Sequence, residues 1–215
     1  MDNFSKSEQN GLNQIDKTVQ MILSVGVSTD GNAEIAMAQR NPNCKIIATT
    51  IDKKGIEETH KKIAELGLEN QIELKLEDVS KPMPYQNDTF DYVYARLVLH
   101  YLDKENLENA LMEIYRVLKP SGKLYTAVKS DKELTYKETP VSYDETTKMT
   151  GIADPLANGK LRYRQFLNTQ SMTEYLKKFK VLSTDEYQEQ TYHDYERTIP
   201  ADDVATLVEA IAQKE

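Results

Sequence analysis

Gly26 and three later positions, each at the end of an apolar run, have the types and spacing that chemistry would need. Gly26 closes the run Met21-Ile22-Leu23-Ser24-Val25 and opens the loop Val27-Ser28-Thr29-Asp30-Gly31, after which a helical pattern begins. A glycine at such a turn lets the backbone approach a ligand and point N–H groups at it. By itself it is equally a turn glycine after a strand. Asp52 ends the run that starts at Lys45. A carboxylate there accepts the two hydroxyls of a ribose, or it caps the helix that starts next. Glu77-Asp78-Val79 follow a third run, Ile72 to Leu76, and can accept from an exocyclic amine or form a solvated turn. His100 comes shortly after a fourth run, Phe90 to Ala95. It can take a proton from a hydroxyl or amine, or it can be a packing histidine at a helix start.

These positions need a scaffold that brings strand ends together. The four runs, and a fifth from Lys123 to Val128, are short and apolar enough for strands. Helical patterns fill the gaps. Gly31 to Gln39 carries Ile35, Ala36 and Ala38. Lys54 to Leu66 stops at Gly67. Asp103 to Leu118 places Leu107, Ala110, Leu111, Ile114 and Leu118 on one face, with Pro120-Ser121-Gly122 as its stop signal. Strands alternating with helices of this length predict βαβ units in a mostly parallel sheet, with ligands at the carboxyl ends of the strands. Lys129 to Gln165 is polar and weakly periodic, and reads as a lid or insertion rather than core. Tyr136, Tyr143 and Tyr163 lie in or beside it and can shape a pocket or simply pack. Thr169 to Phe179 reads as a helix and Lys180 to Gln190 as a strand. Val204 to Ala212 fits either. The expected organisation is one domain, 1–215: an N-terminal helical arm (1–20), a cofactor-binding core (21–128), the lid (129–165), and closing helix and strands (166–215).

Bulk composition narrows the function. Among the 215 residues, 39% are hydrophobic and 29% charged, as in ordinary globular chains rather than disordered ones. The net charge of −8 disfavours a nucleic-acid partner. Cys44 is the only cysteine, which rules out an internal disulfide and suits a reducing compartment. With no signal-peptide pattern and no apolar run near the ~20 residues of a membrane span, the expectation is a cytoplasmic protein without a membrane partner. No metal-ligand spacing is present. His60 sits beside lysines and reads as surface, and His193 lies in an acidic, tyrosine-rich tail.

The block from Asn87 to Tyr125 carries more. It reads Asn-Asp-Thr-Phe-Asp-Tyr-Val, then Leu-Val-Leu-His-Tyr-Leu, a helix, and Arg-Val-Leu-Lys-Pro-Ser-Gly-Lys-Leu. This wording resembles the class I S-adenosylmethionine-dependent methyltransferases of the type 11 kind, over roughly Met21 to Val128. The resemblance implies a Rossmann-like, doubly wound α/β fold whose seven-stranded, mostly parallel sheet ends in an antiparallel strand. It implies S-adenosyl-L-methionine as cofactor, S-adenosyl-L-homocysteine as product, and a small-molecule acceptor. It also implies contacts: Gly26, Val27 and Ser28 with the methionine part, Asp52 with the ribose and Ile51 beside the adenine. Asp78 and Val79 would meet the adenine edge, and Ala95 and Arg96 the sulfonium end.

The sequence departs from that family in its loop. Where the pattern is acid-x-Gly-x-Gly-x-Gly, this chain has Ser24, Gly26, Ser28 and Asp30. Ser24 can hydrogen-bond but cannot pair with the cofactor's ammonium as a carboxylate does. A serine at a positive-φ position costs ~1 kcal/mol. Asp30 tolerates left-handed geometry, and can cap the next helix or stand in for the missing carboxylate. One function is therefore in-line methyl transfer to a small acceptor, with His100 as candidate base. The alternative is a non-catalytic, methyltransferase-like binding or regulatory protein. A nicotinamide-dependent oxidoreductase needs a fuller glycine fingerprint, and the Phe90 to Tyr125 block does not fit one.

Overall fold

The computed structural model describes residues 4–27, 30–135, 140–153, 160–192 and 199–215. Ser28, Thr29, Tyr136 and His193 lie outside them. The first helix, α1 (Lys6–Leu12), starts at a capping box in which Ser5 and Glu8 satisfy each other's backbone. Strand β1 (Met21–Val25) is followed by α2 (Asn32–Arg40), β2 (Lys45–Thr50), α3 (Lys53–Glu65) and β3 (Ile72–Leu76). Then come β4 (Phe90–Arg96), a single 3₁₀ turn (Leu99–Tyr101), α4 (Lys104–Val117) and β5 (Leu118–Lys129).

One sheet carries the fold, in the order β3-β2-β1-β4-β5-β10-β9, where β9 is Lys180–Tyr192 and β10 is Pro200–Gln213. Strands β1 to β5 are parallel to their neighbours, and β10 runs antiparallel to both β5 and β9. Successive residues of β1 alternate between faces. Ile22 joins Leu12, Met37 and Ile63 of the helices α1, α2 and α3 on one face. Leu23 joins Leu107, Leu111 and Ile114 of α4 and Met172 of α5 (Thr169–Tyr175) on the other. Burial on both faces explains why β1 and β4 read as nearly continuous apolar runs.

The structure decides one reading left open by the sequence and alters two others. Val204 to Ala212 belongs to a strand, because it pairs with β5 and β9 along most of its length. Pro120-Ser121-Gly122 lies inside β5. The register shifts there, Ser121 has φ +65°, and a Cβ on Gly122 would come 2.8 Å from the Lys119 carbonyl. The stretch is thus a bulge in the strand, and α4 has already ended at Val117. The expected lid contains a sheet of its own: β6 (Pro140–Tyr143), β7 (Thr150–Ala153) and β8 (Leu161–Arg164), antiparallel and in that order. Its short strands alternate over too few residues to show a period in sequence.

Candidate functional site

Between β1 and β4 the strand order reverses, and the carboxyl ends there define the crevice where open α/β sheets take ligands. Gly26 turns the chain at the end of β1 with φ +79°, and its N–H and that of Val27 donate to the Thr49 carbonyl at 2.8 and 2.9 Å. A Cβ on Gly26 would lie 2.7 Å from Val98, so the chain after β4 packs directly over this turn. Gly31 caps α2 in left-handed geometry, φ +59°, with Thr59 of α3 2.6 Å from where a Cβ would be. The loop therefore keeps a glycine at its helix end, one residue beyond Asp30. That position, and not Asp30, carries the backbone demand. Asp30 instead accepts from the Asn32 side chain at 2.5 Å.

Ser24 points to the α1–α3 face and is buried. Its hydroxyl donates to Glu34 Oε1 of α2 at 2.5 Å. Glu34 is itself buried, and burial pushes its carboxyl up to about 7 despite the Ser24 hydrogen bond. Among the described residues its second oxygen, Oε2, has no hydrogen-bond partner. Tyr94 stands beside Ser24 in the β1–β4 register, and its buried hydroxyl is likewise unpartnered. Neither Glu34 nor Tyr94 was expected as a site residue. The available signal was an acid set among Ala33, Ile35, Ala36, Met37 and Ala38.

Asp52 caps α3, with Oδ1 accepting from the Lys54 N–H at 3.0 Å. Oδ2 takes no hydrogen bond among the described residues and faces solvent on an exposed residue. Ile51 beside it is 75% exposed, far more than an isoleucine next to a core strand needs. Asp78 accepts from the Ser80 N–H at 2.9 Å. Partial burial raises its carboxyl, but Ser80 and Lys81 outweigh that and hold it below the ordinary value. Val79 is half-buried against the α4 face, and Glu77 is occupied by the Tyr85 hydroxyl at 2.7 Å.

At the end of β4, Ala95 is buried. Arg96 turns toward α1 and β9, where its guanidinium meets Ser5, Ser7, Glu8 and Glu189. Burial works against its charge, but Glu8 and Glu189 outweigh burial and hold the group protonated. Its side chain is thus an anchor for α1 in this structure, with its donors committed away from the crevice. Leu97 follows at φ +53°, a strained value for a branched side chain that sends Val98 over Gly26.

His100 is buried in the 3₁₀ turn, against Tyr101. Desolvation, with Arg164 and Lys129 nearby, pushes its imidazole down to about 3, and Nδ1 has no partner. It is neutral at physiological pH and a weak proton acceptor. Its carbonyl accepts from the Gln165 N–H at 2.8 Å, which ties the end of β8 to this turn.

A cavity of about 680 Å³ opens beside Asp78 and Ser80. Tyr101, Asp103 and Asn106 form one wall, and Ser142, Tyr143, Asp144, Thr147, Met149 and Tyr163 the other. The second wall belongs to the small sheet and its first turn. The Thr147 carbonyl there accepts from the Lys104 N–H and so fixes the turn to the start of α4.

Sheet order, glycine turn and strand-end carboxylates together define a class I, Rossmann-like methyltransferase fold. Residues 22–122 match the family model described as a methyltransferase domain. It is 35% identical over 89 residues to a sterol 4-C-methyltransferase of Caenorhabditis elegans, covering 40% of this chain and 26% of that protein. It is 27% identical over 139 residues to an Arabidopsis thaliana tRNA (carboxymethyluridine(34)-5-O)-methyltransferase, covering 62% of this chain and 32% of that one. The chain thus spans about a quarter to a third of the length of these curated relatives. Among solved structures, a SAM-dependent methyltransferase from Methanosarcina mazei superposes with TM-score 0.73 over 94% of this chain and 95% of that one. At 18% identity that likeness concerns the fold.

Proposed function

We propose that this chain transfers a methyl group from S-adenosylmethionine to a small-molecule acceptor. The observation that carries this reading is the cavity of about 680 Å³ that begins at Asp78 and is walled by the small sheet. That volume is in the range of small-molecule sites. The chain's acidity, net −8, works against a phosphate-rich acceptor.

The residues at the strand ends fit the cofactor. Glu34 and Tyr94 leave buried polar atoms unsatisfied, Asp52 keeps one oxygen free, and Ile51 offers an apolar surface. In this reading Gly26, Val27 and Asp30 border the amino-acid end, Asp52 holds the ribose, and Ile51, Asp78 and Val79 frame the adenine. Ala95 lines the sulfonium end through its backbone. Bound there, S-adenosylmethionine supplies an electrophilic methyl on a positively charged sulfur. The chain's own work is to align the acceptor in line with that methyl and to exclude water. Tyr101, Tyr143 and Tyr163 on the cavity wall supply aromatic faces for both tasks. His100, held neutral and behind Tyr101, is a positioning group in this scheme, and the acceptor arrives as its own nucleophile.

Calorimetric titration with S-adenosylmethionine and S-adenosylhomocysteine, on the wild type and Asp52→Asn, tests the proposal. Asparagine keeps an oxygen for the α3 cap but loses the charge. Micromolar binding by the wild type, weakened about tenfold or more by Asp52→Asn at an unchanged melting temperature, is expected. No binding at millimolar ligand by the folded wild type overturns it and leaves the scaffold a non-catalytic role.

A further inference from the structure

Glu34 is the group the fold leaves unexplained. Among the described residues, Oε1 accepts from a neutral hydroxyl, Ser24, and Oε2 has no hydrogen-bond partner. Among the described residues no cation pairs with it. The charged groups that act on it are acids: Asp30 in the loop before α2 and Glu8 of α1. From β4 it faces Tyr94, whose hydroxyl is also unsatisfied. A carboxylate buried among acids is costly unless a cation completes it. The site lies next to the β1 turn: Ser24 is two residues before Gly26, and Glu34 is in the first turn of α2.

We infer that Glu34 receives the ammonium of the cofactor's amino-acid end, replacing from a helix the carboxylate that Ser24 does not supply from the strand. The inference rests on the cofactor reading above. A positively charged N–H donor gives Oε2 its missing partner, offsets the two neighbouring acids, and forms a charge-assisted bond in a dry setting. Because the free carboxyl titrates near 7, ammonium binding requires it to ionise and is favoured as pH rises. Glu8 and Asp30 oppose that ionisation, and the ligand must overcome them.

The test is calorimetric titration with S-adenosylhomocysteine and with 5′-methylthioadenosine, which keeps the nucleoside and thioether but lacks the ammonium. Glu34→Gln is expected to weaken S-adenosylhomocysteine by roughly tenfold or more while leaving methylthioadenosine within about twofold. Ser24→Asp added to Glu34→Gln is expected to recover part of that loss. Wild-type affinity for S-adenosylhomocysteine rises between pH 6 and pH 8, and that of Glu34→Gln stays flat. Without ligand, Glu34→Gln melts at or above the wild-type temperature, since it removes a buried charge. Unchanged S-adenosylhomocysteine binding by Glu34→Gln overturns the inference and leaves the cofactor reading standing. Equal loss for both ligands assigns Glu34 a structural role and also overturns it. Failure of the wild type to bind either ligand removes the cofactor reading, and this inference with it.

Discussion

At the scale of single residues, environment decides which titratable groups can work. His100 sits just past a strand end, as a base would, yet it is buried with two cations nearby and its proton affinity is driven far down. The unfolded chain takes up a proton near pH 6.5, while the folded protein refuses it until about pH 3. The group's contribution is therefore present above pH 6.5 and is lost as pH falls toward 3. His100→Asn removes this linkage. Denaturant titrations of both proteins from pH 7 to pH 4 are expected to show the variant gaining relative stability, with a slope approaching about 1.4 kcal/mol per pH unit. Parallel stability curves would show that the imidazole is not desolvated. Methyl transfer, where measured, is expected to show no inflection from this histidine between pH 6 and pH 8.

At the scale of elements, α1 is short for an independent helix, at 7 residues, and other elements hold it in place. Tyr92 and Tyr125 donate to its backbone carbonyls at Gly11 and Ser7. Gly11 allows this approach, since a Cβ would come 2.5 Å from Tyr94. Arg96 ties Ser5, Ser7 and Glu8 to Glu189 of β9. Replacing Arg96 by methionine removes the cation shared by Glu8 and Glu189, both buried. The expected loss is about 3–5 kcal/mol by chemical denaturation, with faster amide exchange across α1. Adding Glu189→Gln is expected to recover part of it. A loss below about 1 kcal/mol would mean that the pair is solvated and of surface strength.

At the scale of the whole molecule, two sheets share one cavity. The seven-stranded sheet supplies the strand ends that border Asp78, and the three-stranded sheet supplies Ser142, Tyr143 and Tyr163. Among the described residues the small sheet pairs with no strand of the large one. Replacing residues 140–164 by a short flexible linker is therefore expected to leave S-adenosylhomocysteine affinity within about threefold, while acceptor turnover is abolished. Loss of cofactor affinity in a folded variant would place the small sheet in the cofactor site instead.

Much of the architecture follows from local pattern. The order of strands and helices from Met21 to Val128 is readable because two-sided burial makes β1, β2 and β4 apolar runs, while α3 and α4 bury one stripe each. Asp52, Asp78 and Gly26 are readable because a strand end is marked by where an apolar run stops. The strand identity of Val204 to Ala212 came only from its pairing partners, which lie far away in sequence. The small sheet was hidden for the same reason, its strands being four residues each. Direction of side chains was the other missing information. Arg96 and Ala95 are neighbours in sequence but serve opposite faces, so one anchors a helix while the other lines the core. Ser24 and Glu34 are ten residues apart and meet only because α2 folds back over β1. The sequence alone determined the class of fold and where its strands end, because burial periodicity is local. The tertiary structure alone decided which groups each carboxylate meets, such as Glu34 with Ser24, because those partners are set by packing across elements.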